Sequence, residues 1–203
     1  MWVKVLPLVL VSLGTEAPIG DGGQDTLRER VREVGDLNLV MMPAYEPVTV
    51  RDLARESDAI VVAKIETARV VLSPDEQTLF TDLQITVQRV IRRRNGPGMA
   101  AADSLVVRRN GGVTQLEGRN VVLEENDFPP LEISGEYLFF LRNSQGQPFF
   151  RISHGPQGVF RVTAGGVRQV SEVFGSWNRE RGTSAPMSVL EDEIRAGLAP
   201  RVP

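Results

Sequence analysis

The chain has 203 residues, a formal net charge of −3, 41% hydrophobic residues and 24% charged residues, a composition that excludes a wholly disordered chain and a polytopic membrane protein. It contains no cysteine, which excludes disulfides, thiol nucleophiles and cysteine-ligated metal sites. Because His154 is its one histidine, a zinc site built on two or three histidines of the chain is excluded, and any Ser-His-Asp site would use His154 as its base.

The first residues have the order of a secretory signal peptide. Lys4 precedes the apolar run Val5–Leu13, and small residues follow it. As a helix this run would cover about 14 Å, less than half of a bilayer core, so we expect no transmembrane span after cleavage. We predict a signal peptide over residues 1–14 and a secreted or periplasmic location in a bacterium. A buried N-terminal strand is the alternative.

Residues 15–45 are predicted to form a mobile leader. The stretch Pro18–Asp25 is rich in glycine and aspartate, and the charged run Thr26–Val34 has no wide apolar face. Such a segment buries too little apolar surface to offset the entropy lost on ordering.

A short helix is predicted next. Thr49 and Asp52 have the spacing of a capping box, which predicts a helix that runs to about Glu56. The run Ala59–Ile65, which is apolar until Lys64, then predicts a strand whose beginning is covered on both faces and which extends to Leu72.

A second long strand is predicted from the clean alternation of Leu79–Val87. The alternation places Ile85 on the buried face and Thr86 on the opposite, wetter face. It fails at Arg89, where an apolar residue is due, so we predict a bulge or strand end near Gln88 and Arg89.

The remaining elements are shorter. Five further strands are predicted at Ser104–Arg108, Glu136–Leu141, Pro148–Ser153, Val159–Thr163 and Val167–Val170. Ala164-Gly165-Gly166 has the composition of a hairpin turn. Residues 175–203 are predicted to form a linker and an amphipathic helix, because Leu190, Ile194 and Leu198 recur at helical spacing. The whole pattern predicts an all-β (β-rich α+β) fold, a small barrel or sandwich with one helix before it and one after.

Five segments together resemble a known family. They are SDAIVVAKI, LFTDLQITVQRVIR, LVVRRNGG, GEYLFFL and GPQGVFRV, within about residues 57–163. Their order resembles the oligonucleotide/oligosaccharide-binding (OB) type barrel of netrin-like modules and tissue inhibitors of metalloproteinases, as in uncharacterised secreted bacterial proteins. The resemblance implies an OB-like β-barrel domain over residues 46–174. The inhibitors bind the protease zinc through an N-terminal cysteine, which this chain lacks, so that mechanism is not carried over.

A cluster of arginines is the candidate binding site. The binding residues predicted around the second and third strands are Arg92, Arg93, Arg94, Arg108 and Arg109. In a barrel of this type they could form a groove for a polyanion. Stacking aromatic side chains are missing from these segments, which argues against nucleic acid. A charged edge that protects the sheet from association is the alternative.

Two other features of the sequence have residues that could form a site. His154 could serve as a base with Ser153, Asp127 or a distant serine, although adjacent residues on a strand point to opposite faces. A turn histidine is the alternative. Glu124–Asp127 offers oxygen ligands but lacks the D-x-D-x-D-G spacing of a calcium loop, so we predict a solvated loop.

These observations predict a monomeric, non-enzymatic, extracytoplasmic binding module. Its partner would be an unknown protein or an anionic surface polymer, and no catalytic residue, metal or cofactor is predicted. The alternatives are a hydrolase that uses His154 and a structural protein of the cell envelope.

Overall fold

The computed structural model describes residues 25–94, 99–144, 146–182 and 184–199. The predicted signal peptide lies outside these residues. Helices in the described part are α1 (Leu27–Val34), α2 (Val50–Glu56), α3 (Ser176–Arg181) and α4 (Met187–Leu198), with a 3-10 turn at Gly155–Gly158. The strands are β1 (Leu37–Met41), β2 (Ala59–Leu72), β3 (Leu79–Arg93), β4 (Ser104–Asn110), β5 (Gly112–Leu116), β6 (Arg119–Glu125), β7 (Glu136–Asn143), β8 (Phe150–Ile152), β9 (Val159–Thr163) and β10 (Gly166–Gln169).

Five of these strands close a barrel. β2 pairs antiparallel with β3 on one side and β7 on the other, and β3 pairs antiparallel with β4. The short strand β8 completes the ring, since it pairs parallel with β4 and antiparallel with the end of β7. The ring order β2-β3-β4-β8-β7 confirms the predicted small OB-like barrel.

A hairpin extends the sheet away from the barrel. The edge of β7 that meets β8 at Leu141–Asn143 meets β9 at Tyr137–Phe139, so β7 divides one edge between two partners. β10 pairs with β9 across a two-residue turn at Ala164 and Gly165, and Thr163 lies opposite Gly166. The predicted hairpin turn is therefore confirmed.

The first half of β2 is buried on both faces, as its apolar run predicted. Ala59, Val61, Ala63 and Ile65 face the barrel interior and pack with side chains of β3, β4 and β7. The alternate residues Ile60 and Val62 face outward and pack against α2, α3 and α4. The outer face of β2 is thus covered by helices, while its inner face is part of the barrel core.

β3 bends where its alternation fails. Its register against β2 shifts at three places, and one of them skips Gln88 between Val87 and Arg89. The bulge predicted near Gln88 and Arg89 is confirmed, and a second one skips Ile91. Bulges increase the local twist of a long strand, which a strand needs to curl around a small barrel.

The two predicted helices cover the outside of the barrel. Thr49 caps α2, because its hydroxyl oxygen accepts from the amide of Asp52 at 3.2 Å. α4 buries Leu190 and Ile194 and lies directly on α2 at Gly197, where a Cβ atom would come within 2.6 Å of the carbonyl oxygen of Arg51. Glycine at this position permits the close approach of the two helices.

The expected mobile leader is wrong for residues 27–41, which fold into α1 and β1. Thr26 and Glu29 form a capping box, and Leu27 and Val31 are each 1% exposed. β1 pairs parallel with β6, and β5 pairs antiparallel with β6, so the three form a second sheet. Leu27 and Val31 pack with apolar residues of this sheet and of the β2–β3 hairpin, a burial that their local pattern did not reveal.

The phase of β3 gives a direct test of the barrel core. Ile85 is fully buried, whereas Thr86 is half-buried on the opposite face. Ile85→Ala should cost about 2 to 5 kcal/mol of the free energy of unfolding, because it leaves a cavity, and Thr86→Ala well under half of that. Urea titrations of both variants measure the difference, and equal costs would show that the two faces are packed alike.

Candidate binding face of the barrel

The structure does not bring the five predicted arginines into one groove. Asp82 of β3 lies opposite Arg108 of β4, whereas Arg92 lies ten residues farther along β3, opposite Ile60 of β2. A strand rises about 3.3 Å per residue, so ten residues separate Arg92 from the position of Arg108 by roughly 33 Å along the strand. The arginines at 92–94 and those at 108–109 therefore lie in different parts of the barrel.

Two of the three consecutive arginines bind the end of α2. Arg92 donates from Nη1 to the carbonyl oxygen of Ala54, and Arg94 donates to that of Arg55 at 3.3 Å. Burial lowers the pKa of Arg92 from its ordinary value. These side chains satisfy carbonyl groups that a helix leaves free at its C-terminus. Arg93 is exposed.

Arg109 is also committed to the fold. Its guanidinium donates to the carbonyl oxygens of Phe128 and Pro129, both at 2.6 Å, and lies 3.9 Å from the centroid of the Phe128 ring. Burial lowers its pKa, while Glu125 and Tyr45 oppose that shift. Arg109, a residue of β4, therefore holds Phe128 and Pro129, which come after β6, against its own strand.

The structure instead aligns a different set of charges on the outer face of the barrel. Strand pairing places five residues side by side across β2, β3, β4, β8 and β7, and residues paired in register share a face of the sheet. We call this set the arginine row: Arg69, Asp82, Arg108, Arg151 and Arg142.

Two members of the row have carboxylate partners. Arg108 donates to both oxygens of Asp82, at 2.6 and 2.7 Å, and this bond raises the pKa of Arg108. Arg142 donates from Nη2 to Glu56 at 2.6 Å. The structure thus neutralises the charges of Arg108 and Arg142 within the protein.

Arg151 differs from both. Among the residues that the structure describes, it has no hydrogen-bond or ion-pair partner, although it is exposed and lies between Arg108 and Arg142. Partial burial and repulsion by Arg108 lower its pKa. Its guanidinium keeps its donors available for a ligand.

The guanidiniums of Arg108 and Arg151 make cation–π contacts with two phenylalanine rings. The guanidinium carbon of Arg108 lies 4.0 Å from the centroid of Phe149 and 5.2 Å from that of Phe80. Arg151 lies 5.5 Å from Phe80 and 5.8 Å from Phe149. Phe149 and Arg151 are two residues apart along the chain, which places both side chains on the same face of the sheet.

In the described part of the chain, His154 makes no hydrogen bond to a serine. Its Nε2 atom is 2.9 Å from the Glu56 carboxylate that also accepts from Arg142. The Ser153 hydroxyl is fully buried and bonds that of Ser57 at 3.0 Å. His154 has a φ of 53° and begins the 3-10 turn, as a turn histidine would.

Asp127, the other candidate partner of His154, caps a loop instead. It accepts from the Ser171 hydroxyl and from the amides of Glu172, Val173 and Phe174. Burial raises the pKa of Asp127, but these hydrogen bonds outweigh burial and hold the pKa below its usual range. The carboxylate therefore fixes the 171–174 loop against the end of β6.

The solvated loop expected at Glu124–Asp127 is wrong for Glu125. Glu124 and Glu125 end β6, and Glu125 is 3% exposed while Glu124 is exposed. Glu125 accepts a hydrogen bond from the hydroxyl of Tyr45. Burial raises the pKa of Glu125, and the contacts with Tyr45 and Arg109 oppose that shift only in part.

The part of the chain that the structure describes contains neither a metal-binding cluster nor a membrane-spanning helix. Within residues 25–94, 99–144, 146–182 and 184–199, no group of three or more His, Asp or Glu side chains could hold a metal ion. None of the helices in those ranges is long and apolar enough to cross a membrane. Neither the known protein families nor the curated proteins contain a match to this chain.

The burial of Glu125 predicts a pH dependence of stability. A carboxyl whose pKa is raised by folding stabilises the fold most below its ordinary pKa of about 4.3, and that contribution is lost as pH rises through the raised value. Glu125→Gln keeps a neutral acceptor for Tyr45. Relative to the natural chain, its free energy of unfolding should therefore increase from about pH 4 upward.

The matched control is Glu124→Gln, which changes an exposed carboxylate next to it. Urea titrations between pH 4 and 8 should show no pH-dependent difference between this control and the natural chain. A Glu125→Gln variant whose difference from the natural chain stays constant with pH would contradict the assignment.

Proposed function

We propose that this protein is a non-enzymatic binding module outside the cytoplasm, secreted or periplasmic, that binds an anionic surface polymer through the arginine row. The observation that carries the proposal is the unpartnered guanidinium of Arg151. It lies on the outer face of the barrel, between two arginines whose charges are already neutralised.

The charge balance of the row favours an anionic ligand. Arg108 is compensated by Asp82 and Arg142 by Glu56, whereas Arg151 and Arg69 have no ion-pair partner among the described residues. Two positive charges are therefore left on one face of a chain whose formal net charge is −3. A free guanidinium matches the geometry of a carboxylate, sulfate or phosphate group.

The contacts of Phe80 and Phe149 favour a polymer other than a nucleic acid. Phe149 is 8% exposed, and both phenylalanine rings are occupied by guanidiniums of the same face. A nucleic-acid site of a small barrel offers open aromatic faces on which bases stack. Here the rings position the arginines, which lowers the entropy cost of holding a charged side chain in place.

The hydrolase alternative requires a nucleophile beside His154. In the described residues the hydrogen-bond partner of His154 is Glu56, which is itself bound to Arg142.

The test compares single substitutions on immobilised heparin, a sulfated polysaccharide. Arg151→Ser should weaken binding by about tenfold at 0.15 M salt, equivalent to ~1.4 kcal/mol, because it removes one charge-assisted contact. The slope of log K against log salt should fall in magnitude by about 1. Binding isotherms at several salt concentrations measure both quantities.

Arg93→Ser is the matched control, since Arg93 is an exposed arginine at the other end of the barrel wall. It should leave affinity nearly unchanged. Equal losses of heparin affinity in the two variants would show that binding depends only on the net charge of the protein, which contradicts the proposal. Absence of heparin binding by the natural chain would also reject it.

A further inference from the structure

His154 shares a carboxylate with one member of the arginine row. The Nε2 atom of His154 lies 2.9 Å from Oε2 of Glu56, and the same oxygen accepts a hydrogen bond from Nη2 of Arg142 at 2.6 Å. Arg142 is paired in register with Arg151, so these two arginines are neighbours on one face of the sheet. The imidazole is therefore joined, through one carboxylate, to the arginine next to the unpartnered guanidinium.

The net charge of this group depends on the state of the imidazole. With a neutral imidazole, the carboxylate of Glu56 balances the guanidinium of Arg142, and the three side chains carry no net charge. With a protonated imidazole, the same carboxylate faces two cations. One carboxylate balances one of them, so an additional positive charge is then left beside Arg151.

The other charged groups on the segments around His154 have partners of their own. These groups and their partners are Asp58 with the amide of Asn143, Glu125 with the hydroxyl of Tyr45, Arg161 with Glu132, and Arg168 with Glu172. Within the described residues, Glu56 is the carboxylate at hydrogen-bond distance from the imidazole.

The imidazole is open to solvent, so it can exchange a proton with water. The side chain of His154 is 25% exposed, and that of Glu56 is 43% exposed. Water screens charges at such a position, which limits the effect of protonation to that of an exposed charge pair. Histidine is the side chain that ordinarily changes its charge between pH 5 and 8, and this chain contains one.

We propose that His154 regulates the arginine row, which binds an anionic polymer more tightly when the imidazole is protonated. This inference rests on the proposed function, because it concerns the affinity of the same face for the same class of ligand. It gives the one histidine of the chain a role that requires neither a nucleophile nor a metal.

The experiment measures heparin affinity as a function of pH. The sulfate groups of heparin keep their charge between pH 5.5 and 7.5, so a change in affinity over this range reports on the protein. At 0.15 M salt the natural chain should bind about two- to fivefold more tightly at pH 5.5 than at pH 7.5, as expected for one additional exposed charge.

Two variants identify the group that is responsible. His154→Asn keeps a neutral donor for Glu56, and asparagine tolerates the left-handed backbone at this position, where φ is 53°. Its affinity for heparin should be the same at both pH values. Glu125→Gln is the matched control, because it removes the other carboxyl whose charge could change in this range while Glu56 stays intact. It should keep the pH dependence of the natural chain.

Proton uptake gives a second readout of the same coupling. If protonation of His154 strengthens heparin binding, heparin binding must in turn favour the protonated imidazole. Titration calorimetry at about pH 6.5, in two buffers of different ionisation enthalpy, should therefore detect uptake of protons by the natural chain. The uptake should be absent in His154→Asn.

The outcomes separate this inference from the proposed function. Heparin binding that depends on Arg151 but is equal at both pH values would overturn the role of His154 and leave the proposed function standing. A His154→Asn variant that keeps the pH dependence, or a Glu125→Gln variant that loses it, would assign the effect to another group and overturn the inference. Absence of heparin binding at both pH values would reject the proposed function and this inference together.

Discussion

The burial of β2 on both faces is the constraint on which the rest of the structure depends. Between Ala59 and Ile65 its side chains alternate between the barrel interior and the layer of helices, and its two edges are paired with β3 and β7. A strand in this position loses nearly all contact with water, so every backbone group must find a partner within the protein. The ladders on both edges supply those partners, and the two apolar faces supply most of the stabilisation.

This central strand also determines where charge can lie. Because β2 and β7 are covered by helices over much of their outer faces, the exposed wall of the barrel is the part formed by β3, β4 and β8. The short strand β8 closes that wall by pairing with both β4 and β7, and its pairing places Arg151 beside Arg108 and Arg142. Barrel closure and the arginine row are thus consequences of the same strand pairings.

Sequence analysis recovered the elements whose signals are local. The apolar run of β2, the alternation around Ile85 and the capping threonine of α2 all act over a few residues, and each was confirmed. It missed α1 and β1, because their buried residues are few and pack against β6, more than 80 residues away in the chain. The arginine row was missed for the same reason: register between distant strands decides which charges become neighbours. Glu125 is buried beside Tyr45 and Arg109, which belong to distant segments of the chain.

Native-state amide hydrogen exchange tests the central role of β2 most directly. The account predicts that the amides of Ile60–Ile65 exchange only through global unfolding, with a free energy of opening equal to the free energy of unfolding measured with denaturant. The amides of the peripheral strands β9 and β10 and of α4 should exchange through smaller openings. If the β2 amides exchanged through a partial opening while those of β9, β10 or α4 remained protected, the account would be contradicted.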